Sequence, residues 1–260
     1  GGRVYTNECV SQCELMESTC PSKCDEVVLH TVASSGVCKK WRAARVVFAV
    51  PPTKKAKIHF LGLPKHLRLQ AEATLSVQRR RSMGCIIKSV VCYEAAFWLE
   101  AGFSGEGICA PTQKAPVFNI YDHTQSGSPK LVCFINGDFA QFWSGEHKRE
   151  RRKQAVLAQL GSLFGESALT PDDYLEKDWV ADYYTGGCPV GCFHPEISDE
   201  EIDMLCTPIG PIFWAGTETA ESCQGFMSGA VQSGERAARQ ILQSFVQDER
   251  PCYGNIKGRG

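Results

Sequence analysis

The segment from Pro211 to Ala238 sets the tightest limit on how this chain can fold. Pro211-Ile212-Phe213-Trp214-Ala215-Gly216 is an apolar run closed by glycine, and a polar turn follows. So short a run bounded by turn residues reads as a buried strand rather than a helix. From about Gly225 the pattern changes to a helix whose first turns are dominated by Gly, Ala and Ser. Met227, Ala230, Val231, Gly234, Ala238, Ile241, Leu242 and Phe245 fall on one side of that helix, which is the side expected to pack. A helix N-terminus gathers unsatisfied N–H groups and the positive end of the dipole. Small residues there admit a close neighbour, either another element or an electron-accepting ligand. Both readings of the turn remain open on these residues alone.

The other elements predict a mixed α/β chain. Residues 1–60 read as short β elements joined by turns, with strands over Asp25 to Val32 and Arg45 to Val50, the latter stopped by Pro51-Pro52. Val46 to Val50 is continuously apolar, as expected of a strand covered on both faces. Ile86 to Tyr93 predicts another strand, with Lys88 interrupting an apolar run. Glu146 to Phe164 predicts a helix ended by Gly165, because Val156, Leu157, Leu160, Leu163 and Phe164 recur at helical spacing. Asp122 to Pro129 is a loop by composition.

Composition excludes more than it selects. With 43% hydrophobic residues, 22% charged residues and a net charge of −1, the chain is globular and gives no argument for nucleic acid or an anionic surface. The basic clusters Arg79-Arg80-Arg81 and Lys148 to Lys153 read as solvated faces. The 14 cysteines are scattered, without a Cys-x-x-Cys pair, and the Cys20–Cys24 spacing has no histidine to complete a metal cluster. No metal is expected, and reduced thiols in an intracellular compartment are the simpler account. No apolar run is long enough to span a bilayer.

Ala215-Gly216-Thr217-Glu218-Thr219-Ala220, Gly225-Phe226-Met227-Ser228-Gly229-Ala230 and Ser233-Gly234-Glu235-Arg236-Ala237-Ala238 resemble the closing FAD signature of the flavin monoamine oxidase family. Met83-Gly84-Cys85-Ile86-Ile87-Lys88, followed by Tyr93 and Ala96-Phe97-Trp98, is similar to that family's strand bearing the lysine that faces the flavin. Asp178-Trp179 with Thr185-Gly186-Gly187-Cys188 resembles the segment that supplies a tryptophan and the cysteine joined to the flavin 8α-methyl. Gly2-Arg3-Val4 through Val10, with Phe48-Ala49-Val50-Pro51-Pro52 and Lys57-Ile58-His59-Phe60, is similar to the stretch meeting the adenine end of FAD.

This resemblance implies a partial two-domain α/β flavin amine oxidase fold, with an incomplete FAD-binding parallel sheet and a mixed-sheet substrate domain with helices. It places FAD-domain segments at residues 1–55 and 181–250, a substrate-binding domain at 56–180 and a tail at 251–260. It implies catalytic roles for Lys88, Trp179 and Phe226, and FAD binding by Val10, Cys188 (covalently), Gly216, Thr217, Glu218 and Met227. It puts Ile108, Asn119, Phe134 and Pro189 against the substrate. The implied reaction is oxidative deamination of a primary or secondary amine to an aldehyde, with O2 reduced to H2O2. On the residues alone, Lys88 can also be a strand lysine in solvent and Cys188 a buried thiol.

The sequence departs from the family in three places. No Gly-x-Gly-x-x-Gly turn for the pyrophosphate occurs, so the chain reads as a C-terminal fragment. Pro189 and Phe226 stand where two cage tyrosines are expected, and Asn119 replaces a cavity tyrosine. A polar stretch, Gln247-Asp248-Glu249-Arg250, follows Phe245 in place of a membrane anchor, so a mitochondrial outer-membrane site by analogy gives way to a cytosolic or unassigned one. A non-catalytic remnant or interaction module, and a polyamine oxidase-like enzyme with non-covalent FAD, stay as alternatives. Homodimerisation is left open.

Overall fold

The computed structural model describes residues 2–16, 26–124 and 127–248. Cys20, Cys24 and the 251–260 tail lie outside them. The chain divides into two compact units, Gly1–Ser82 with Phe193–Gly260, and Met83–Cys192. Residues 56–82 therefore pack with the terminal segments.

In the first unit, β1 (Cys9–Met16), β2 (Glu26–Val32) and β3 (Cys38–Ala43) form an antiparallel meander. After β4 (Val46–Phe48) and the short α1 (Pro52–Lys55), β5 (His59–Leu61) joins β1 in parallel. Gly62 then turns with φ +67°, and a Cβ there would lie 2.2 Å from the Leu15 carbonyl oxygen, so only glycine fits. α2 (Lys65–Arg79) and β6 (Arg81–Met83) follow.

The strand expected over Arg45 to Val50, covered on both faces, is shorter and one-sided. Val46 and Phe48 are buried, but Val47 is 40% exposed. β4 pairs only with the parallel strand at Ile212–Trp214 among the described residues, so a single face meets the core.

The second unit is built on one sheet. Its elements are β7 (Ile86–Cys92), α3 (Phe97–Glu100), β8 (Gly107–Ile108), β9 (Asn119–Asp122), β10 (Lys130–Asn136), α4 (Gly137–Trp143), α5 (Arg149–Phe164) and β11 (Asp173–Asp178). The strand order is β11-β7-β10-β9-β8, and β7 is antiparallel to both its neighbours. Strand side chains alternate between faces. Ile87, Val91, Leu131, Cys133, Ile135 and Ile120 therefore turn to one side, where they pack with Val156, Leu157 and Leu160 of α5.

Arg152 corrects the expectation of a solvated basic face. It is 1% exposed, pairs with the equally buried Glu176 of β11, and donates to the Trp143 and Gly145 carbonyls. A charge that deep needs a partner and hydrogen bonds for its remaining protons, and this one has both.

The chain returns to the first unit through β12 (Gly191–Phe193), which pairs with β6. α6 (Asp199–Met204) opens with a full capping box between Ser198 and Glu201, and β13 (Ile212–Trp214) and α7 (Met227–Asp248) follow. The apolar side expected to pack on α7 is mostly outward. Met227 is 88% and Leu242 66% exposed, while Gly229, Ser233, Arg236 and Ala237 are buried. Hydrogen bonding decides the orientation. Ser233 and Arg236 satisfy backbone groups at the end of β13, and those groups have to be met before apolar area is counted. Among the described residues no helix is long and apolar enough to cross a membrane.

Candidate active site

Four of the expected site residues fall in one cross-strand row on the sheet of the second unit. Ile108 stands opposite Asn119, Asn119 opposite Phe134, and Phe134 opposite Lys88. Lys177 of β11 continues the row opposite Lys88. Directly opposed residues share a face, so all five stand on the side away from the packed core. That face is half-open: Ile108 is 79% exposed and the Asn119, Phe134 and Lys88 side chains are partly so. Lys88 Nζ lies 5.7 Å from the Phe134 ring centroid, within reach of the ring's negative face. Tyr121 meets Phe134 edge-to-face at 5.9 Å.

β11 leads out of this row into the loop carrying Trp179 and Cys188. The Asp178 carboxylate accepts from Ser144 Oγ and from the Gly145, Val180 and Ala181 amides at 2.8–3.1 Å. Burial pushes its pKa up, but these hydrogen bonds and the Arg152 charge hold it below the ordinary value. Asp182 repeats the device one turn later, accepting from the Tyr184 and Thr185 amides and from Thr185 Oγ1. A hydrogen bond from Lys177, then the Thr185 amide, depresses its pKa strongly. Lys177 Nζ also sits 4.9 Å from the Trp179 ring centroid, tying the indole to the turn that leads to Cys188.

Cys188 is fixed by backbone. Its amide donates to the Gly84 carbonyl at 2.8 Å, and the Gly84 amide donates to Val190 at 3.0 Å. A Cβ on Gly84 would come within 2.4 Å of the Cys188 carbonyl oxygen, which explains a glycine just before β7. Burial raises the Cys188 thiol pKa, and the Lys88 charge pulls against that rise. Pro189 is exposed.

The first unit builds the glycine turn. Gly216 has φ +118°, and its amide donates to Ser233 Oγ at 3.0 Å. Arg236 donates to the Trp214 and Thr219 carbonyls and to Thr219 Oγ1. Lys55, buried, reaches the Ala215 carbonyl at 3.4 Å and lies 5.4 Å from the Trp214 ring. Thr217 Oγ1 accepts from the Gly225 amide at 2.7 Å and donates to the Phe226 carbonyl at 3.2 Å. Gly216, Thr217 and Phe226 are thus joined in one network, with Glu218 buried beside them and Met227 opening α7. Val10, half-buried on β1, packs against the cluster that holds Phe48 and Trp214.

This turn suits a flavin. α7 carries no acidic residue in its first turn, so nothing in that turn cancels the helix's positive end. Its leading N–H groups lack intrahelical acceptors by geometry. Phe226 and Met227 stand exposed at that end, offering an apolar wall to a planar ring.

Sequence reasoning missed Lys177, Asn136 and Asp182, and gave Arg236 no role beyond its place in the FAD signature. Lys177 was within reach of the two-residue alternation of β11. Asn136 becomes visible only through its hydrogen bond to Asn119 across the sheet.

A mixed-sheet unit with an open aromatic face and a second unit with a glycine turn at a helix N-terminus each fit a flavoprotein oxidoreductase class. The chain belongs to the flavin-containing amine oxidoreductase family, whose model matches residues 1–242. It is 36% identical over 211 residues to the probable flavin-containing monoamine oxidase A of Dictyostelium discoideum, covering 80% of this chain and 44% of that protein. Among solved structures, the cyclohexylamine oxidase from Brevibacterium oxydans IH-35A matches with a TM-score of 0.71 at 28% identity, over 91% of this chain and 48% of that one. Wild-type putrescine oxidase bound to putrescine matches with a TM-score of 0.72 at 27% identity, over 91% of this chain and 49% of that one. The chain thus spans about half the length of the proteins it matches.

Proposed function

We propose that the chain supplies the amine-facing wall and the isoalloxazine-binding turn of an FAD-dependent amine oxidase. The reaction is oxidative deamination of a neutral, apolar primary or secondary amine to an aldehyde, with O2 reduced to H2O2. The observation that carries this is the cross-strand row Lys88–Phe134–Asn119–Ile108 on the open face of one sheet. Bound FAD would supply the two-electron acceptor for the amine's α-carbon. Gly216, Thr217, Glu218 and Met227 would hold the ring against the start of α7, with Val10 toward the adenine end. Cys188 would tether the ring covalently. Lys88 would present its ammonium, and the water it holds, to the reactive edge. Trp179, Phe226, Phe134 and Ile108 would exclude water and favour an apolar amine, with Asn119 and Pro189 completing the substrate wall. The FAD-binding part would take in residues 1–55 and 181–250 and the substrate part 56–180, although 56–82 pack with the terminal segments and 181–192 with the second unit. Scattered cysteines without a disulfide pattern fit an intracellular compartment.

The row holds two lysines and no carboxylate, which argues against a polyamine substrate needing acidic partners. A second reading, a non-catalytic module of the family, draws on the apolar side that α7 leaves exposed.

Acid precipitation tests the proposal. The chain is produced with FAD available, precipitated, and the pellet spectrum recorded. Flavin absorbance retained in the pellet, and lost in Cys188→Ser, is the expected result. Flavin only in the supernatant removes the tether and favours the non-covalent relatives. A colourless pellet and supernatant support the non-catalytic reading for this chain.

A further inference from the structure

Ser82 is the one serine or threonine of the chain that directly follows three arginines, Arg79-Arg80-Arg81. The fold presents it. α2 ends at Arg79, and the chain straightens at once into β6, on which Ser82 is exposed. β6 pairs only with β12 among the described residues, so its other edge is open. The two arginines that close α2 are engaged differently. Arg79 is exposed, and no residue among those described pairs with it. Arg80 is half-buried and pairs through one guanidinium nitrogen with Glu201 of α6. Its Nε–H is buried and has no hydrogen-bond partner among the described residues. A guanidinium is a planar fork suited to two oxygens of one anion, so part of this fork is unused.

We propose that Ser82 is a phosphorylation site for an arginine-directed serine kinase, and that Arg80 then holds the phosphate in place of Glu201. Such kinases select substrates by charge pattern, and the exposed Arg79 offers a cation three residues ahead of the acceptor hydroxyl. In the transfer, a bond forms between Ser82 Oγ and the γ-phosphorus of ATP as the bond from that phosphorus to the ADP oxygen breaks. The hydroxyl proton passes to the kinase's carboxylate base, and nothing is oxidised or reduced. The product adds about −1.5 to −2 of charge and three acceptor oxygens at a neutral position. Two residues of extended chain span at most about 7 Å, which puts Ser82 within side-chain reach of Arg80. A phosphate exceeds a single carboxylate both in charge and in acceptors, so it wins the shared guanidinium. Glu201 also accepts from the Ser198 amide in the capping box of α6. Losing Arg80 therefore loosens α6 from α2 while leaving α6 capped.

The test uses the 260-residue chain, ATP with Mg2+, and the catalytic subunit of cyclic-AMP-dependent kinase as the arginine-directed enzyme. Mass spectrometry is expected to find phosphate on Ser82, and Ser82→Ala should take none while keeping the parent's circular dichroism. Arg79→Gln should slow labelling about 10-fold, the equivalent of one charge-assisted hydrogen bond. No label, label elsewhere, or equal labelling of Ser82→Ala overturns the site. Phosphorus NMR on chains labelled to completion reads the arginine contact separately. The Ser82 phosphate should titrate below the ordinary midpoint of about 6 and return to it in Arg80→Gln. Glu201→Gln, which removes the competing carboxylate, should lower the midpoint further, and it keeps the test decisive if the loss of Arg80 disturbs α2. A parent midpoint near the ordinary value, or one that neither variant moves, overturns the role of Arg80.

Discussion

Lys88 and Phe134 stand directly opposite each other on antiparallel strands, with the lysine nitrogen 5.7 Å from the centre of the ring. The lysine's charge also pulls against the burial that raises the Cys188 thiol pKa. Replacing Lys88 by Met removes that charge, so the Cys188 pKa should climb further above the ordinary cysteine value. Peptide-resolved alkylation across pH 7–10 reads this out: Cys188 should react more slowly at every pH in Lys88→Met, with Cys9 and Cys223 as exposed controls. An unchanged Cys188 profile would show that the two groups do not communicate.

The Arg152–Glu176 pair ties α5 to β11, the strand that feeds the Trp179 loop. Removing one member strands a buried charge, so Arg152→Met should cost about 3–5 kcal/mol in urea unfolding. Replacing both, Arg152→Met with Glu176→Leu, should recover a large part of that loss. A double variant as unstable as the single would count against an electrostatic cause.

Asp178 gives a pH signature. Its folded pKa lies below the ordinary value, so its contribution is present above the unfolded carboxyl pKa of about 3.9 and is lost as pH falls through the folded value. Asp178→Asn should cost about 1–3 kcal/mol at pH 7. The gap between variant and parent should shrink steadily below about pH 4. Equilibrium unfolding at several pH values measures it, and a gap independent of pH would remove the carboxylate charge from the account.

Two glycines of α7 should respond to alanine with opposite sign. A Cβ on Gly229 would sit 2.2 Å from the Cys223 carbonyl oxygen, while one on Gly234 meets nothing within 4 Å. Gly234→Ala should stabilise by about 0.5–1 kcal/mol through helix propensity. Gly229→Ala should destabilise, because the turn ahead of the helix has to move. Thermal denaturation of the pair decides it, and a stabilising Gly229→Ala would mean that the helix start packs less closely than described.

The sequence by itself determined the kinds of element and much of the chemistry. An apolar run closed by Gly216, a small-residue helix start, Lys88 inside a strand and a helix ended by Gly165 are local statements, written in propensity, periodicity and turn residues. What they could not contain was long-range pairing. Ile108, Asn119, Phe134 and Lys88 are scattered over 47 positions, and only the register of β8, β9, β10 and β7 sets them in one row. Arg152 and α7 show the same limit from the other side. Their periodicity pointed outward for the charge and inward for the apolar residues. The structure reverses both, because Glu176 and the backbone groups of the Gly216 turn demand buried hydrogen-bond partners. Meeting buried polar groups outweighs covering apolar area, and which groups are buried is known only once the strands have met.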